Sequence, residues 1–139
     1  MKRLLVAAAL LRERWSNEGP SRILVTRRLK GVHLAGSWEF PGGKVELTES
    51  PVDALKRELR EELGIEVDVG DIYAVGHHVY PQREIVLLVY ESVIKRGTPQ
   101  RLGVAEFCWL EPSVLVELEL PPADGPVVDR LKREVEQCR

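Results

Sequence analysis

Apolar residues near the start of the chain form short runs that predict β-strands. Residues 4–11 and 23–28 are two such runs, and the turn-forming residues 16–21 between them predict a hairpin. Residues 38–40 predict a third, shorter strand. Pro41-Gly42-Gly43 should end it, because proline has no amide donor for the sheet and glycine permits positive φ angles. The chain is therefore expected to begin with β structure.

Residues 51–63 have the spacing and the end signals of an amphipathic helix. Ser50 is a candidate N-cap, Pro51 suits the first helical position, and Gly64 is a typical residue just past a C-terminus. On a helical wheel, the apolar residues share one side, which consists of Val52, Leu55, Leu59 and Leu63. That side is expected to pack against the sheet.

The second half of the chain continues the alternation of strand and helix signals. Strands are predicted at residues 72–80, 85–93 and 106–110. After Pro121-Pro122, apolar residues recur at helical spacing, and Asp124 is a candidate N-cap for this last helix. The order of elements predicts an α/β fold in which helices pack on a mixed sheet.

Composition narrows the class of protein. A chain of 139 residues with 44% hydrophobic and 30% charged residues fits one soluble domain over residues 1–139, as a monomer or a homodimer. The formal net charge of −2 argues against binding a nucleic acid polymer through its phosphates, and it leaves a small phosphorylated ligand open. Residues 4–11 are too short to span a bilayer, so no membrane partner is expected. Cys108 and Cys138 lie far apart in no metal-site spacing, which favours the reducing cytoplasm.

Candidate chemistry is concentrated on one side of the first helix. The wheel places Glu58, Glu61 and Glu62 on one face, beside the apolar side, where like charges at these spacings repel one another. One interpretation is a solvated face with ion pairs, for which Arg57 stands four residues before Glu61. The other is a site for a hard cation, Mg²⁺ or Mn²⁺, because clustered carboxylates without soft ligands suit such ions.

A longer pattern supports the second interpretation. Gly43, Glu49, Arg57-Glu58-Leu59, Glu61-Glu62 and Gly64-Ile65 match every fixed position of the Nudix box, so the chain resembles the Nudix hydrolases. Residues 38–46 also resemble the MutT-like branch, which hydrolyses oxidised guanine nucleoside triphosphates. The resemblance implies an α/β/α sandwich with a mixed β-sheet between the helices. It also implies magnesium-dependent hydrolysis, in which water attacks the β-phosphorus to give a nucleoside monophosphate and pyrophosphate.

The resemblance further implies roles for particular residues. Glu58, Glu61 and Glu62 would hold divalent cations with the Gly42 carbonyl, and Glu49 would pair with Arg57 to brace the loop. Glu106 looks like an additional carboxylate that assists the metal or the attacking water; alternatively, it is a solvent-facing residue at a strand start. The general base is then either a glutamate of the box or Glu106.

Three residues are candidates for holding the nucleotide, and two of them, both arginines, resemble residues of the MutT-like branch. Arg28 and Arg83 would reach its phosphates or sugar, a task that suits the guanidinium group, although surface ion pairing is the alternative for both. Phe40 would stack on the base or belong to the core. The expected ligand is therefore a small nucleotide.

Asp124 departs from the MutT-like pattern, which has an asparagine there to recognise the base. An ionised carboxylate only accepts hydrogen bonds, so Asp124 favours bases that present donors. Nudix enzymes that hydrolyse CTP and modified cytidine nucleotides also have aspartate at this place, which keeps (d)CTP or 5-methyl-dCTP as an alternative to 8-oxo-dGTP. Asp124 as a simple N-cap is a third possibility. A non-catalytic nucleotide sensor is the alternative of another class, and the intact box glutamates argue against it.

Overall fold

The structure is a computed structural model and describes residues 1–13, 21–31 and 36–138. Most of the predicted hairpin turn, residues 16–20, lies outside the described residues. None of the helices in the described part is long and apolar enough to cross a membrane.

Within the described residues, seven strands form one mixed sheet. They are β1 Lys2–Arg12, β2 Ile23–Arg27, β3 Trp38–Glu39, β4 Gly42–Lys44, β5 Glu66–Tyr80, β6 Arg83–Arg96 and β7 Glu106–Leu110. The main order is β3-β2-β1-β6-β5, with β4 paired to β1 and β7 paired to β2. Only β1 and β6 run parallel to each other, and the remaining pairs among the described strands are antiparallel. The predicted mixed sheet is thus confirmed.

The strand β3 ends at Glu39, so the predicted strand stops before Pro41-Gly42-Gly43 as expected. Gly42-Gly43 then begins a new strand that the sequence did not predict, β4, which pairs with β1 through Ala7 and its neighbours. Gly42 has a φ of 155°, and a Cβ at this position would lie 2.1 Å from the Ala7 carbonyl oxygen. Glycine therefore lets the two backbones approach closely enough to pair.

The first helix, α1, spans Pro51–Leu63, as predicted. The Ser50 hydroxyl accepts a hydrogen bond from the Asp53 amide at 3.1 Å, and Gly64 ends the helix in the left-handed conformation with a φ of 68°. Ala54 and three of the predicted apolar residues are fully buried, while Val52 is half-buried. These side chains pack against one face of the sheet, on Ala7, Ala9 and Leu11 of β1.

The opposite face of the sheet is covered by the C-terminal segment. This segment contains a short helix α2, Pro112–Leu115, a 3₁₀ turn, Pro122–Asp124, and a helix α3, Gly125–Gln137. Val127 and Leu131 of α3 are fully buried in the second core cluster. The sheet therefore lies between two helical layers, which confirms the predicted α/β/α sandwich.

Asp124 stands at the N-cap position of α3, but its side chain makes no capping hydrogen bond. Its backbone has helical angles, φ −81° and ψ −4°, because the 3₁₀ turn runs directly into the helix. The prediction of a side-chain N-cap is therefore wrong. Its side chain is instead directed into a cavity, where it is 5% exposed.

Candidate active site

A cavity of about 360 Å³ opens among β1, β6, α1 and the 3₁₀ turn. Its apolar wall comes from one face of the parallel pair β1 and β6, because Leu4 lies beside Ile85 and Val6 beside Leu87 in the register. The candidate residues that line it are Arg28, Phe40, Gly42, Glu58, Glu62, Arg83 and Asp124. Sequence positions almost 100 residues apart are thus brought together at one site.

The remaining candidates, Glu49, Arg57, Glu61 and Glu106, do not line this cavity. Glu61 has a side chain that is 61% exposed and is paired with Arg57 at 3.3 Å. Glu106 lies directly opposite Arg27 in the β2–β7 register, and the two side chains form an ion pair at 3.4 Å. The helical wheel predicted that Glu61 shares a face with Glu58 and Glu62, but in the structure only Glu58 and Glu62 of these three line the cavity.

Arg57 connects the loop before α1 to the acidic residues of the helix. Its Nε and Nη2 donate to the two Glu49 carboxylate oxygens at 3.0 and 2.6 Å, and Nη2 also donates to the Lys44 carbonyl at 3.1 Å. Nη1 donates to Glu58 at 2.9 Å. The hydrogen bond from Arg57 is the main cause that lowers the pKa of Glu49 to about 2. This bidentate pairing is the Glu49–Arg57 contact that the resemblance implied.

Two carboxyl groups of α1 are held in the cavity wall. The Glu58 carboxyl packs on Gly43, where a Cβ would lie 2.3 Å from its Cδ. Burial raises the pKa of Glu58, and the Arg57 guanidinium opposes that shift. Burial, followed by the charges of Glu58 and Glu39, raises the pKa of Glu62 to about 8, although a hydrogen bond from the Gly42 backbone works in the other direction. The carboxylates of Glu58 and Glu62 repel each other in this partly desolvated site, so a bound cation would stabilise their ionised forms.

The donor chemistry of this site fits a hard divalent cation. Carboxylate oxygens are the ligands that Mg²⁺ prefers, and the described residues that line the cavity include no cysteine or histidine. The full predicted set is not gathered at one point: within residues 1–13, 21–31 and 36–138, no three His, Cys, Asp or Glu side chains form a ready metal site. The structure brings Glu58, Glu62 and Gly42 together and leaves Glu61 and Glu106 in ion pairs with arginines.

Glu39 is a cavity residue to which the sequence reasoning assigned no role. It lies on β3, and both of its carboxylate oxygens accept from Arg28 Nη1 at 3.0 Å. Burial raises the pKa of Glu39, and Arg28 opposes the shift. The available signal was an acid between Trp38 and Phe40, since a carboxyl group in an apolar strand needs a partner.

Arg28, Arg83 and Phe40 were predicted to contact the nucleotide, and each has a different environment in the structure. Arg28 is engaged with Glu39, whereas Arg83 lines the cavity from the start of β6. Phe40 is 3% exposed and packs in the core cluster with Tyr73 and Leu87 while also forming part of the cavity wall. Its position therefore matches the core alternative.

Asp124 carries an unusual protonation state. Burial, followed by the charge of Glu39, raises its pKa to about 8, which favours the neutral carboxyl at neutral pH. A neutral carboxyl has one O–H donor and a carbonyl acceptor, much like an amide. Asp124 therefore differs from the ionised carboxylate on which the sequence-based expectation depended, because its neutral form can also donate.

Comparison with known proteins supports the same class of protein. The sequence model of the NUDIX domain family matches residues 1–131 of this chain. The chain is 35% identical to the 8-oxo-dGTP diphosphatase of Escherichia coli (strain K12) over 133 residues, covering 96% of this chain and 99% of the relative. It is 38% identical to the CTP pyrophosphohydrolase of the same organism over 129 residues, covering 93% of this chain and 91% of the relative.

A solved structure gives the same result for the fold. The solution structure of the E. coli ORF135 protein is 35% identical and has a TM-score of 0.76, covering 100% of this chain and 94% of that chain. The chain belongs to the NUDIX family, and it is a Nudix hydrolase of the MutT-like branch. Divalent cations are generally used by this family, which agrees with the oxygen-rich wall of the cavity.

Proposed function

We propose that the chain hydrolyses a nucleoside triphosphate to the monophosphate and pyrophosphate, with 8-oxo-dGTP or a related modified nucleotide as its substrate. The observation that carries this proposal is a single cavity that contains both the acidic residues of α1 and the buried Asp124. The first group suits the phosphate chain, and the second suits the base. The names of the two relatives point to the same pair of substrates, 8-oxo-dGTP and CTP.

The cation in our proposal is Mg²⁺, with Mn²⁺ as a replacement, and its ligands are Glu58, Glu61, Glu62 and Glu106 with the Gly42 carbonyl. Bound Mg²⁺ would lower the pKa of a coordinated water and offset charge on the phosphates. Arg57 and Glu49 hold the loop around Lys44 against α1, which fixes the orientation of the Glu58 carboxyl. We assign the general base to one of the box glutamates or to Glu106.

Arg28 and Arg83 are the cationic residues that we assign to the phosphates or the sugar. Arg83 lines the cavity directly. Arg28 donates hydrogen bonds to the partly desolvated carboxylate of Glu39. To bind a phosphate, its guanidinium must give up at least part of this interaction. Because burial favours the neutral form of Glu39, this exchange is less costly than breaking an ion pair between two fully ionised groups.

Asp124 is the residue that we assign to the base. In its neutral form it complements an edge with one donor and one acceptor, such as N7–H and O6 of 8-oxoguanine or N4–H and N3 of cytosine. The cytidine nucleotides dCTP and 5-methyl-dCTP are therefore the second candidate substrates, favoured by the aspartate and by the CTP pyrophosphohydrolase relative. We further propose one catalytic domain that acts on free nucleotides in the cytoplasm, in keeping with two free thiols, Cys108 and Cys138.

A comparison of kcat/KM for 8-oxo-dGTP, dGTP, dCTP and 5-methyl-dCTP with Mg²⁺ tests the proposal, with Asp124→Ala beside the wild type. We expect one modified nucleotide to be preferred by about tenfold or more, and Asp124→Ala, which removes both the donor and the acceptor, to reduce that preference, because one base-specific hydrogen bond accounts for about 1–3 kcal/mol. An unchanged ranking in Asp124→Ala would remove the base-recognition role. Nucleotide binding without turnover in Mg²⁺ or Mn²⁺ would instead identify a non-catalytic sensor.

A further inference from the structure

The 3₁₀ turn that carries Asp124 is packed against β5 at a glycine. Gly76 is buried in β5, and the Ala123 carbonyl lies directly over it. A Cβ at residue 76 would stand 1.8 Å from the Ala123 oxygen and 3.0 Å from its carbonyl carbon. No side chain other than the hydrogen of glycine fits this gap, so the turn and the strand touch through their backbones.

A second contact fixes the peptide group on the other side of Ala123. The Ala123 amide donates to the Tyr80 hydroxyl at 3.5 Å, and Tyr80 is 8% exposed. Gly76 and Tyr80 are four residues apart in β5 and so lie on the same face of the strand. Both the carbonyl and the amide of Ala123 are therefore positioned by β5.

The helix that follows the turn is also tied to this strand. Arg130 of α3 donates to the Tyr73 carbonyl at 2.6 Å, and its guanidinium lies 4.1 Å from the centroid of the Tyr73 ring. Val127 and Leu131 are fully buried against the sheet. Because Val127, Arg130 and Leu131 hold α3 against the sheet, we expect a displacement of Ala123 to change the 3₁₀ turn itself. Asp124 belongs to this turn and should move with it.

We propose that Gly76 is a positioning residue that determines nucleotide specificity, because its missing side chain sets how deeply Asp124 enters the cavity. Tyr80 is the second positioning residue and fixes the same turn from its amide side. Asp124 directly follows Ala123 and is the residue of the turn that lines the cavity. The inference rests on the proposed function, in which Asp124 contacts the base.

Gly76→Ala tests this inference, and Gly70→Ala is its matched control. Gly70 lies in the same strand, but a Cβ there would meet the Glu91 carbonyl oxygen at 3.4 Å and the Glu91 Cβ at 3.8 Å, which are ordinary contacts. The ratio of kcat/KM between the preferred and the poorer nucleotide is the main readout, because it does not depend on the fraction of folded enzyme. We expect the ratio to fall about tenfold in Gly76→Ala, mainly through KM of the preferred nucleotide, since shifts near 1 Å have effects of this size or more.

The amide signals of Asp124 and Gly125 in a ¹H–¹⁵N spectrum give an independent readout. They should move in Gly76→Ala and stay in place in Gly70→Ala. A wild-type ratio in folded Gly76→Ala overturns the inference. If Gly76→Ala does not fold, Tyr80→Phe decides: the ratio should fall about two- to threefold for the loss of one weak hydrogen bond, and an unchanged ratio also overturns the inference.

Asp124→Ala separates failure of the inference from failure of the proposed function. A changed ratio in Asp124→Ala with an unchanged ratio in Gly76→Ala rejects only the positioning role. An unchanged ratio in Asp124→Ala rejects the base-recognition role on which that positioning role depends.

Discussion

At the scale of single residues, burial changes the chemistry of two acids in the cavity. Glu62 and Asp124 both have a pKa raised to about 8, and burial is the main cause for each. Their neighbours differ, since Glu62 also faces Glu58 and Glu39, whereas Asp124 has Glu39 as its charged neighbour. In the proposed function, a cation relieves the charge around Glu62, while the neutral Asp124 exchanges hydrogen bonds with a base.

The raised pKa of Asp124 predicts a pH-dependent effect on stability. An aspartate in the unfolded chain ionises near pH 3.8, whereas the folded protein keeps the proton until about pH 8. The stability that comes from the protonated group is therefore full below pH 3.8 and is lost as pH rises through about 8. Asparagine is neutral throughout. The Tm of the wild type should fall relative to that of Asp124→Asn as pH rises from 4 to 8.

Thermal unfolding at several pH values measures this difference. Asp129→Asn is the control, because Asp129 lies exposed on α3, five residues after Asp124. Its Tm should follow that of the wild type at every pH. If the curves for Asp124→Asn and the wild type run parallel, Asp124 is ionised in the folded protein and the argument from a neutral carboxyl fails.

At the scale of elements, two neighbouring glycines have separate tasks. A Cβ at Gly42 would strike the Ala7 backbone at 2.1 Å, whereas a Cβ at Gly43 would meet the Glu58 carboxyl at 2.3 Å. A backbone cannot move away, but a carboxyl group can. We expect Gly42→Ala to lower the free energy of unfolding by about 1–3 kcal/mol, because it separates β4 from β1. Gly43→Ala should keep the fold and lower kcat by up to about 100-fold, because it moves the Glu58 carboxyl.

Chemical denaturation and steady-state kinetics on both variants check this pair of expectations. Gly97→Ala does not serve as a control, since its φ of 94° also requires glycine, but Gly70→Ala does. Equal losses of stability in the two variants would contradict the separate tasks of Gly42 and Gly43.

The same elements explain which features the sequence predicts and which it hides. The helix α1 was predicted to the residue because Ser50, Pro51 and Gly64 are local signals. The strand β4 was missed because it depends on β1, some 35 residues earlier in the chain, which accepts a Gly-Gly segment that alone indicates only a turn. Short-range patterns define helix ends well, whereas strand pairing depends on tertiary contacts.

The candidate site divides in the same way. Glu58 and Glu62 were predicted from the spacing of the box and do line the cavity. The raised pKa of Asp124 and the Arg28–Glu39 pair were not predictable, because burial and cross-strand contacts cause them. Glu106 was expected near the box, but its partner in the register is Arg27.

At the scale of the whole molecule, the sheet separates two cores and brings distant segments to one cavity. One cluster joins α1 to β1, and the other joins α3 to the opposite face. The cavity takes residues from both sides, with Glu58 from α1 and Asp124 from the turn before α3. The cavity therefore joins both helical layers to the sheet. A cation that binds at the acidic residues should then stabilise the whole folded protein, which can be measured as a rise in Tm.

Mg²⁺ should raise the Tm of the whole protein, because it binds the folded state at carboxyl groups that otherwise repel one another. At a concentration ten times its Kd, a ligand stabilises the folded state by about 1.4 kcal/mol, which corresponds to a rise in Tm of about 3–6 °C for a protein of this size. Differential scanning calorimetry with 0–20 mM MgCl₂, on the order of the weaker metal affinities, measures the shift without substrate. The double variant Glu58→Gln/Glu62→Gln should lose the shift, whereas Glu136→Gln, on the exposed side of α3, should retain it. A shift of equal size in the double variant would mean that Mg²⁺ stabilises the protein elsewhere, and these two glutamates would then lose their assignment as ligands.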